Sequence, residues 1–311
     1  MFNKGDQLDK YIIDEPLGDG SFGCVYKAAE GQGGNISALK ICKLNISTDD
    51  LNRFEQENGI LHSLMPHPRI ITPLSLILHH TVYTFYSMEL ADNNLHNYLN
   101  LQSGLDIKDK INLFIKICEG LKHAHGKGIV HRDLWWNNIL IKKNFTHNID
   151  EPKITDFGRA KDFSVTDLTS SPQGIWGHIY ICPHEKHFKI WDTATRPNYI
   201  LGDMYALGII FCFIVQSAPT YYALKLNDNI TSFFSKNSIN LDTLTLQQKQ
   251  THYQQWLNET DFSQSLNELK VTIIDKNLND EINKIILKLC QPDFSKRYAN
   301  IDSLLNDLSK L

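Results

Sequence analysis

Four short stretches of the chain carry side chains from which chemistry could be built. The first is Gly18-Asp19-Gly20-Ser21-Phe22-Gly23-Cys24-Val25, a G-x-G-x-x-G-x-V run. Glycine has no Cβ, so a phosphate can come close to the backbone N–H groups of such a run. The same six-residue core marks dinucleotide-binding folds, but there the loop leads from a strand into a helix. Here Cys24-Val25-Tyr26-Lys27 continues as a strand, so the glycines cap a hairpin. The second stretch is Ala38-Leu39-Lys40, with Lys40 seventeen residues after Gly23. An ammonium in an apolar strand is costly to bury without a partner, and Glu57 or Glu55 on the next helix is the candidate. Glu57 stands four residues before Leu61, on the face expected to look inward. The third is His131-Arg132-Asp133-Leu134-Trp135-Trp136-Asn137-Asn138, a carboxylate five residues ahead of an amide. Asp133 can orient a hydroxyl or take its proton, and Asn138 offers a neutral oxygen to Mg²⁺. The fourth is Thr155-Asp156-Phe157-Gly158, an acid that suits a metal bridging polyphosphate oxygens, followed by a glycine hinge.

These residues need elements to hold them. Short apolar runs broken by glycine over residues 11–43 predict strands in hairpins. Leu51, Phe54, Asn58, Leu61 and Leu64 step by three or four, which predicts a helix over Asp49 to Leu64 capped by Thr48 or Asp49. Asn58 is the polar exception on that face. Strands are expected at 74–79 and 82–88, helices at 95–99 and 107–125, short strands at 139–141 and 153–154, and mostly helix from about 199 onward. A strand-rich portion of about 90 residues thus precedes a helix-rich one of about 220.

The chain has 311 residues, of which 42% are apolar and 21% charged, enough to build a core and too few charges for a coiled coil or a disordered chain. A net charge of −4 gives no sign of a nucleic-acid partner. The six cysteines (24, 42, 118, 182, 212 and 290) form no C-x-x-C pair, so reduced thiols are expected rather than a disulfide framework or a zinc ribbon. The longest apolar run, Ala206 to Val215, is about ten residues, half of what a membrane span needs, and reads as a core helix. The polar N-terminus lacks a signal-peptide core, so a soluble, cytoplasmic protein is expected. High Asn, Ile and Lys content hints at an AT-rich genome. That fits a protist or a bacterial effector, the latter acting in a host cell if secreted.

Taken in chain order, Gly18/Gly20/Gly23, Val25, Lys40, Glu57, His131-Arg132-Asp133-Leu134 with Asn138, and Asp156-Phe157-Gly158 resemble the eukaryotic-type protein kinase family. Asp203-Met204-Tyr205-Ala206-Leu207-Gly208 is similar to the family's D-x-W-S-x-G stretch, and Arg297 to its late arginine. The resemblance covers about residues 11–305. It implies an α+β bilobal fold, with a β-rich N-lobe over residues 1–91 and a helical C-lobe over 92–311. It implies ATP between the lobes, Mg²⁺ held by Asn138 and Asp156, and a protein substrate. Lys40 would pair the α/β-phosphates, held by Glu57, and Asp133 would position the acceptor hydroxyl. The hinge Glu89-Leu90-Ala91 would bond the adenine, with Met88 at the gatekeeper position. Leu17, Val25, Ala38 and Leu140 would surround the purine. Arg132 would grip a phosphorylated activation loop, with Ser164, Thr166, Thr169, Ser170 and Ser171 as candidate sites.

Two markers of acceptor class depart from the pattern. Ser/Thr kinases usually carry a lysine two residues after the catalytic aspartate, where this chain has Trp135, with one N–H and no charge. The arginine that tyrosine kinases usually place there is absent as well. Arg159 or Lys161 could supply the cation, or Trp135 could form a wall for the acceptor side chain. Gly177-His178-Ile179-Tyr180-Ile181-Cys182-Pro183-His184-Glu185 aligns without gaps on the family's G-T-x-x-Y-x-A-P-E, which puts His178 in the threonine's place and lets Glu185 pair with Arg297. An alignment on Tyr180 puts His184 at the glutamate position instead. Ser/Thr specificity is the expectation, and a pseudokinase acting as a nucleotide-binding scaffold is the alternative. A small-molecule kinase on a related fold is a third reading. Residues 220–280, rich in Asn and Gln, match the family poorly and are expected to form an insertion or an idiosyncratic surface.

Overall fold

The computed structural model describes residues 2–20, 22–102, 104–143, 150–164, 178, 181–190 and 196–311. In chain order the strands and helices begin with β1 (Gln7–Leu8), β2 (Tyr11–Asp19), β3 (Gly23–Glu30), β4 (Ile36–Cys42), α1 (Thr48–Ser63), β5 (Leu78–His80), β6 (Tyr83–Met88) and β7 (Asn93–Asn94). Then come α2 (Leu95–Leu101), α3 (Ile107–Gly126), β8 (Ile129–Val130), β9 (Ile139–Lys142), β10 (Glu151–Ile154) and β11 (Lys161–Asp162). The C-terminal helices are α4 (Arg196–Gln216), α5 (Tyr222–Lys236), α6 (Leu246–Glu259), α7 (Ser263–Asn267), α8 (Lys276–Leu289) and α9 (Ile301–Leu308).

The chain divides into two compact units: Met1–Leu95 with Asn137–Ala160, and His96–Trp136 with Lys161–Leu311. This grouping differs from a division at residue 91/92, because β9 pairs with β7 and the Ile71 N–H bonds the Ile154 carbonyl. The hairpin of β9 and β10 therefore belongs with the first unit.

In the first unit an antiparallel sheet runs in the order β1-β2-β3-β4-β6-β5. Side chains alternate across a strand, and the two faces do different work. Tyr11 and Ile13, Tyr26 and Ala28, Leu39 and Ile41, and Phe85 fill a core on one face. The intervening residues of β4, Ala38 and Lys40, point the other way, next to Met88 and Tyr86 of β6 in register. Val25 stands opposite both Gly18 and Lys40. The cap of α1 falls one residue before the expected ones: the Ser47 side chain accepts from the Asp50 N–H at 3.1 Å. Asn58, the polar exception, is buried and donates to the Ser75 carbonyl at 3.0 Å, which anchors the helix to the chain leading into β5. The strand expected at 74–79 is confined to Leu78–His80.

The second unit is helical around α4. This helix is longer than its apolar run suggests: Pro197–Gln216 has a mean hydropathy of 1.7, long and apolar enough to cross a membrane. Yet 83% of that window is buried among other parts of the protein, as in a central core helix. It packs on α3 and α8. Gly208 permits the second crossing, since a Cβ there would lie 2.4 Å from Cys290 Sγ and 2.7 Å from Leu289 Cβ. Residues 220–280 form helices and contribute core: Tyr253 and Trp256 of α6 are buried, and the indole N–H donates to Asn229 Oδ1 at 2.6 Å. All six cysteines are free thiols. Gly208→Ala is expected to cost about 1–3 kcal/mol through overpacking. Thermal unfolding would then begin roughly 2–10 °C lower; an unchanged melting temperature would contradict the close crossing.

Candidate functional site

The charged centre of the first unit starts from Lys40, whose ammonium leaves the sheet on the face away from the core. It is buried and donates to Glu57 Oε1 at 2.8 Å and Oε2 at 2.6 Å. It also lies 3.2 Å from Asp156 Oδ1. Burial works against the ammonium, but the carboxylates of Asp156 and Glu57 outweigh it and raise the Lys40 pKa well above the ordinary lysine value. The cation is therefore permanent at physiological pH. Helical phase selects the partner: Glu57 shares the buried face of α1 with Phe54, Asn58 and Leu61, whereas Glu55 is exposed.

Asp156 is set by the hairpin of β9 and β10. Ile139 pairs with Ile154, and the Thr155 N–H bonds the Asn138 carbonyl at 3.0 Å, so the amide and the acid end the hairpin together. Asp156 itself takes a left-handed backbone, φ 60°, a conformation a non-glycine residue holds only when its surroundings impose it. The 3-10 turn Phe157–Arg159 that follows packs on α1. A Cβ at Gly158 would meet the Phe22 ring at 3.2 Å and Glu57 Oε2 at 3.3 Å, which is why a residue without a side chain stands there. The Asp156 side chain keeps 36% exposure, against 8% for Lys40 and 1% for Glu57, so it is the open member of the three.

The glycine hairpin closes through the Gly20 N–H and the Gly23 carbonyl at 2.9 Å. Gly18 has open space where a Cβ would be, whereas one at Gly23 would stand 2.8 Å from the Ile41 carbonyl. Ser21 lies outside the described residues. Leu17 is exposed, Ala38 and Met88 are buried, and Val25 and Leu140 are half-buried. Along Glu89-Leu90-Ala91 the bonds are Glu89 N–H to Thr72 O and Asp92 N–H to Ile141 O, both 2.9 Å. Among the described residues, no backbone hydrogen bond of this stretch uses the Glu89 carbonyl or the Ala91 N–H. The Glu89 carboxylate accepts from the Thr72 N–H at 2.9 Å and pairs with Lys142 and Lys153, each at 2.7 Å.

In the second unit Asp203 of α4 organises the loop that carries Asp133. Its carboxylate accepts from the His131 N–H at 2.9 Å and the Arg132 N–H at 2.8 Å, and lies 2.9 Å from His125 Nε2. Burial pushes this carboxyl up, but the bond from His125 and the donors of the loop prevail and hold it below its usual value. Arg132 has a left-handed backbone, φ 66°, and its guanidinium lies 5.5 Å from the Tyr199 ring. Glu185 and Arg297 form a buried bidentate pair at 2.5 and 2.9 Å, as the gapless alignment expects, while His184 bonds the Pro292 carbonyl. Trp135 stacks face to face on His178, centroids 3.9 Å apart and planes 8° apart. Of the cations suggested for position 135, Arg159 lies over Phe22 in the first unit, and Lys161 lies over Phe163 and Tyr199 in the second. Among the candidate phosphorylation sites, Ser164 donates to Asp162 Oδ1 at 2.6 Å. Thr166, Thr169, Ser170 and Ser171 lie outside the described residues, as do Gly177, Ile179 and Tyr180.

The family model described as protein kinase domain matches residues 11–308. The chain belongs to the protein kinase domain family. Among similar proteins of this family, the serine/threonine-protein kinase PkaA of Streptomyces coelicolor is 29% identical over 68% of this chain and 40% of its own length. The probable serine/threonine-protein kinase PknB of Lactococcus lactis is 30% identical over 65% of this chain and 31% of its own. The cyclin-dependent kinase D-1 of Arabidopsis thaliana is 28% identical over 73% and 54%. The alignments thus span about a third to a half of these relatives.

Within this kinase domain, two buried polar residues, one in each unit, escaped notice in the sequence. Tyr86 lies beside Lys40 and Glu57, and its phenol is raised well above its usual pKa by burial and then by the Glu57 charge. Only the register of β4 with β6 reveals that neighbour. The other is Lys186, a buried cation that reads in the sequence as one more charge beside Glu185.

Glu89 carries a pH dependence. Burial pushes its carboxyl up, but the hydrogen bonds from Lys142 and Lys153 leave it below the ordinary glutamate value. A lowered carboxylate contributes stability that is complete above roughly pH 4.3 and is lost as pH falls through the folded value. Glu89→Gln is expected to lower stability at pH 7 by about 1–2 kcal/mol and to flatten the acid side of a melting-temperature profile. An equally steep acid side in the variant would contradict this.

Proposed function

We propose that this chain is an active protein kinase that transfers the γ-phosphoryl group of ATP to protein hydroxyls, those of Ser or Thr in preference to Tyr. The observation that carries the reading is the Lys40 ammonium, kept charged between Glu57 and Asp156 while Asp156 stays partly open to solvent. A fixed cation in a buried setting suits the α/β-phosphates, and Glu57 keeps it aimed. The hairpin Gly18/Gly20/Gly23 can bring backbone N–H groups to the same polyphosphate. Leu17, Val25, Ala38, Met88 and Leu140 would pack on the purine, and the Glu89 carbonyl and Ala91 N–H would bond its edge.

Asn138 and Asp156 offer an amide oxygen and a carboxylate at one end of the hairpin, a donor set of hard oxygens that fits Mg²⁺. When bound there, Mg²⁺ would neutralise polyphosphate charge. Asp133 of the second unit would orient the acceptor hydroxyl and take up its proton as the phosphoryl group departs. In the family's terms residues 1–91 would be the N-lobe and 92–311 the C-lobe. The named Ser/Thr kinases among the relatives support the acceptor class.

The test is incubation of the chain with γ-labelled ATP and Mg²⁺, followed by phosphoamino-acid analysis. Label on phosphoserine or phosphothreonine is expected, reduced by about 10²-fold or more in Asp156→Ala. Nucleotide binding without transfer would instead support a scaffold, and label on phosphotyrosine would overturn the acceptor class.

A further inference from the structure

Lys186 ends the 3-10 turn His184–Lys186 and is only 7% exposed. Its ammonium donates to the Arg132 carbonyl at 3.4 Å, one residue before Asp133. Arg132, Asp133, His178, Lys186 and Asp203 line a common cavity of about 10 Å³. With so little of the side chain exposed, protein groups must meet most of the charge. Two carboxylates line the same cavity, Asp133 from the loop and Asp203 from α4, and both act on the charge of Lys186, as do the Arg132 guanidinium and Cys182. Cys182 is pushed up to about 11 by burial, and stays neutral. Burial lowers the Lys186 pKa first of all, and the repulsion from Arg132 adds to this. The attraction of Asp133 and Asp203 works the other way.

Position 135 contributes no cation to this loop. Its indole is laid flat on His178, and burial lowers the His178 pKa, so that ring too is neutral near pH 7. Lys186 reaches the loop from the other end of the same segment, 51 residues after Trp135 in sequence. Its position beside Asp133 is a consequence of folding, since His184 and Glu185 of the same turn are tied to Pro292 and Arg297.

We propose that Lys186 is the positioning residue for Asp133, supplying from the turn after Pro183 the positive charge that the Asp133 loop lacks at Trp135. It tethers the loop through the Arg132 carbonyl and favours the charged form of the Asp133 carboxylate. The inference rests on the reading of Asp133 as the group that orients the acceptor hydroxyl.

The test compares steady-state phosphotransfer by wild type, Lys186→Met, Lys186→Arg and the double variant Trp135→Lys/Lys186→Met between pH 5.5 and 8.5. Lys186→Met is expected to lower kcat by about 10-fold or more through misplacement of Asp133, with KM for ATP unchanged. A carboxylate that loses a neighbouring cation becomes easier to protonate, so the acidic limb of kcat should move up by about one pH unit. Lys186→Arg should keep the limb in place, and the lysine introduced at 135 should restore part of kcat. An apolar side chain of similar volume in place of a buried ammonium is often tolerated by the fold, and melting curves check this. If Lys186→Met does not fold, the Arg variant decides: a limb shifted in that variant overturns the proposal, and a limb held in place supports it. Loss of kcat with an unmoved limb and no rescue would reduce Lys186 to a structural role and overturn the proposal. Wild-type activity in Lys186→Met would do the same. Wild-type protein that transfers nothing would overturn the kinase reading itself, which the active wild type in every other outcome keeps separate.

Discussion

A buried ammonium cannot stand alone, and the first unit is arranged around that constraint. Lys40 can lie inside a strand because α1 brings Glu57 to it and the turn after β10 brings Asp156. Each requirement passes outward. The helix must present Glu57 inward, which places Phe54 and Leu61 in the core and needs Ser47 and Asn58 to anchor its start and middle. The acid after β10 must turn in a left-handed conformation, and the glycine two residues later must leave room for Phe22. Removing the ammonium would leave the buried Glu57 carboxylate without its cation, which is more costly than the pair is stabilising.

The second unit follows the same logic with different groups. Asp203 is a buried acid satisfied by backbone donors of the loop before Asp133, and this fixes the loop to the most apolar helix of the chain. Glu185 and Arg297 form a second buried pair that ties the turn at 184–186 to the approach to α9. Buried pairs of this kind contribute less to net stability than to specifying one arrangement of backbone, here the course of the two segments that flank Asp133 and Lys186. The stack of Trp135 on His178 adds an aromatic contact where the family commonly places polar groups.

Much of this was legible in the amino-acid sequence, for reasons that differ by residue. The glycine spacing, Lys40, Asp133, Asn138 and Asp156 are visible because their chemistry restricts residue type and interval at once. The sheet face is visible because Ala38 and Lys40 alternate with Leu39 and Ile41. The choice of Glu57 over Glu55 was open until helical phase settled it. Local geometry is harder to read: the α1 cap falls on Ser47, one residue early, because capping depends on backbone angles that Ser, Thr and Asp share as preferences. The early start of α4 at Arg196 was hidden because its first turns carry Pro197, Asn198 and Gly202, residues that favour loops. Residues 220–280 looked like surface because they carry fourteen Asn and Gln, yet the rings of Tyr222, Phe233, Tyr253 and Trp256 are buried there. Lys186 and the stack of residues 135 and 178 depend on contacts between distant segments, and no local pattern announces them.

The account turns on whether the charged centre at Lys40 receives a metal-bound triphosphate. Isothermal titration of the chain with ATP in excess Mg²⁺, set beside the Lys40→Ala variant, measures this without reference to any acceptor. The account predicts saturable binding by the wild-type chain and an affinity at least about tenfold weaker in the variant, the equivalent of 1.4 kcal/mol. Equal affinities in the two proteins, or no uptake by a folded wild-type chain, would contradict it.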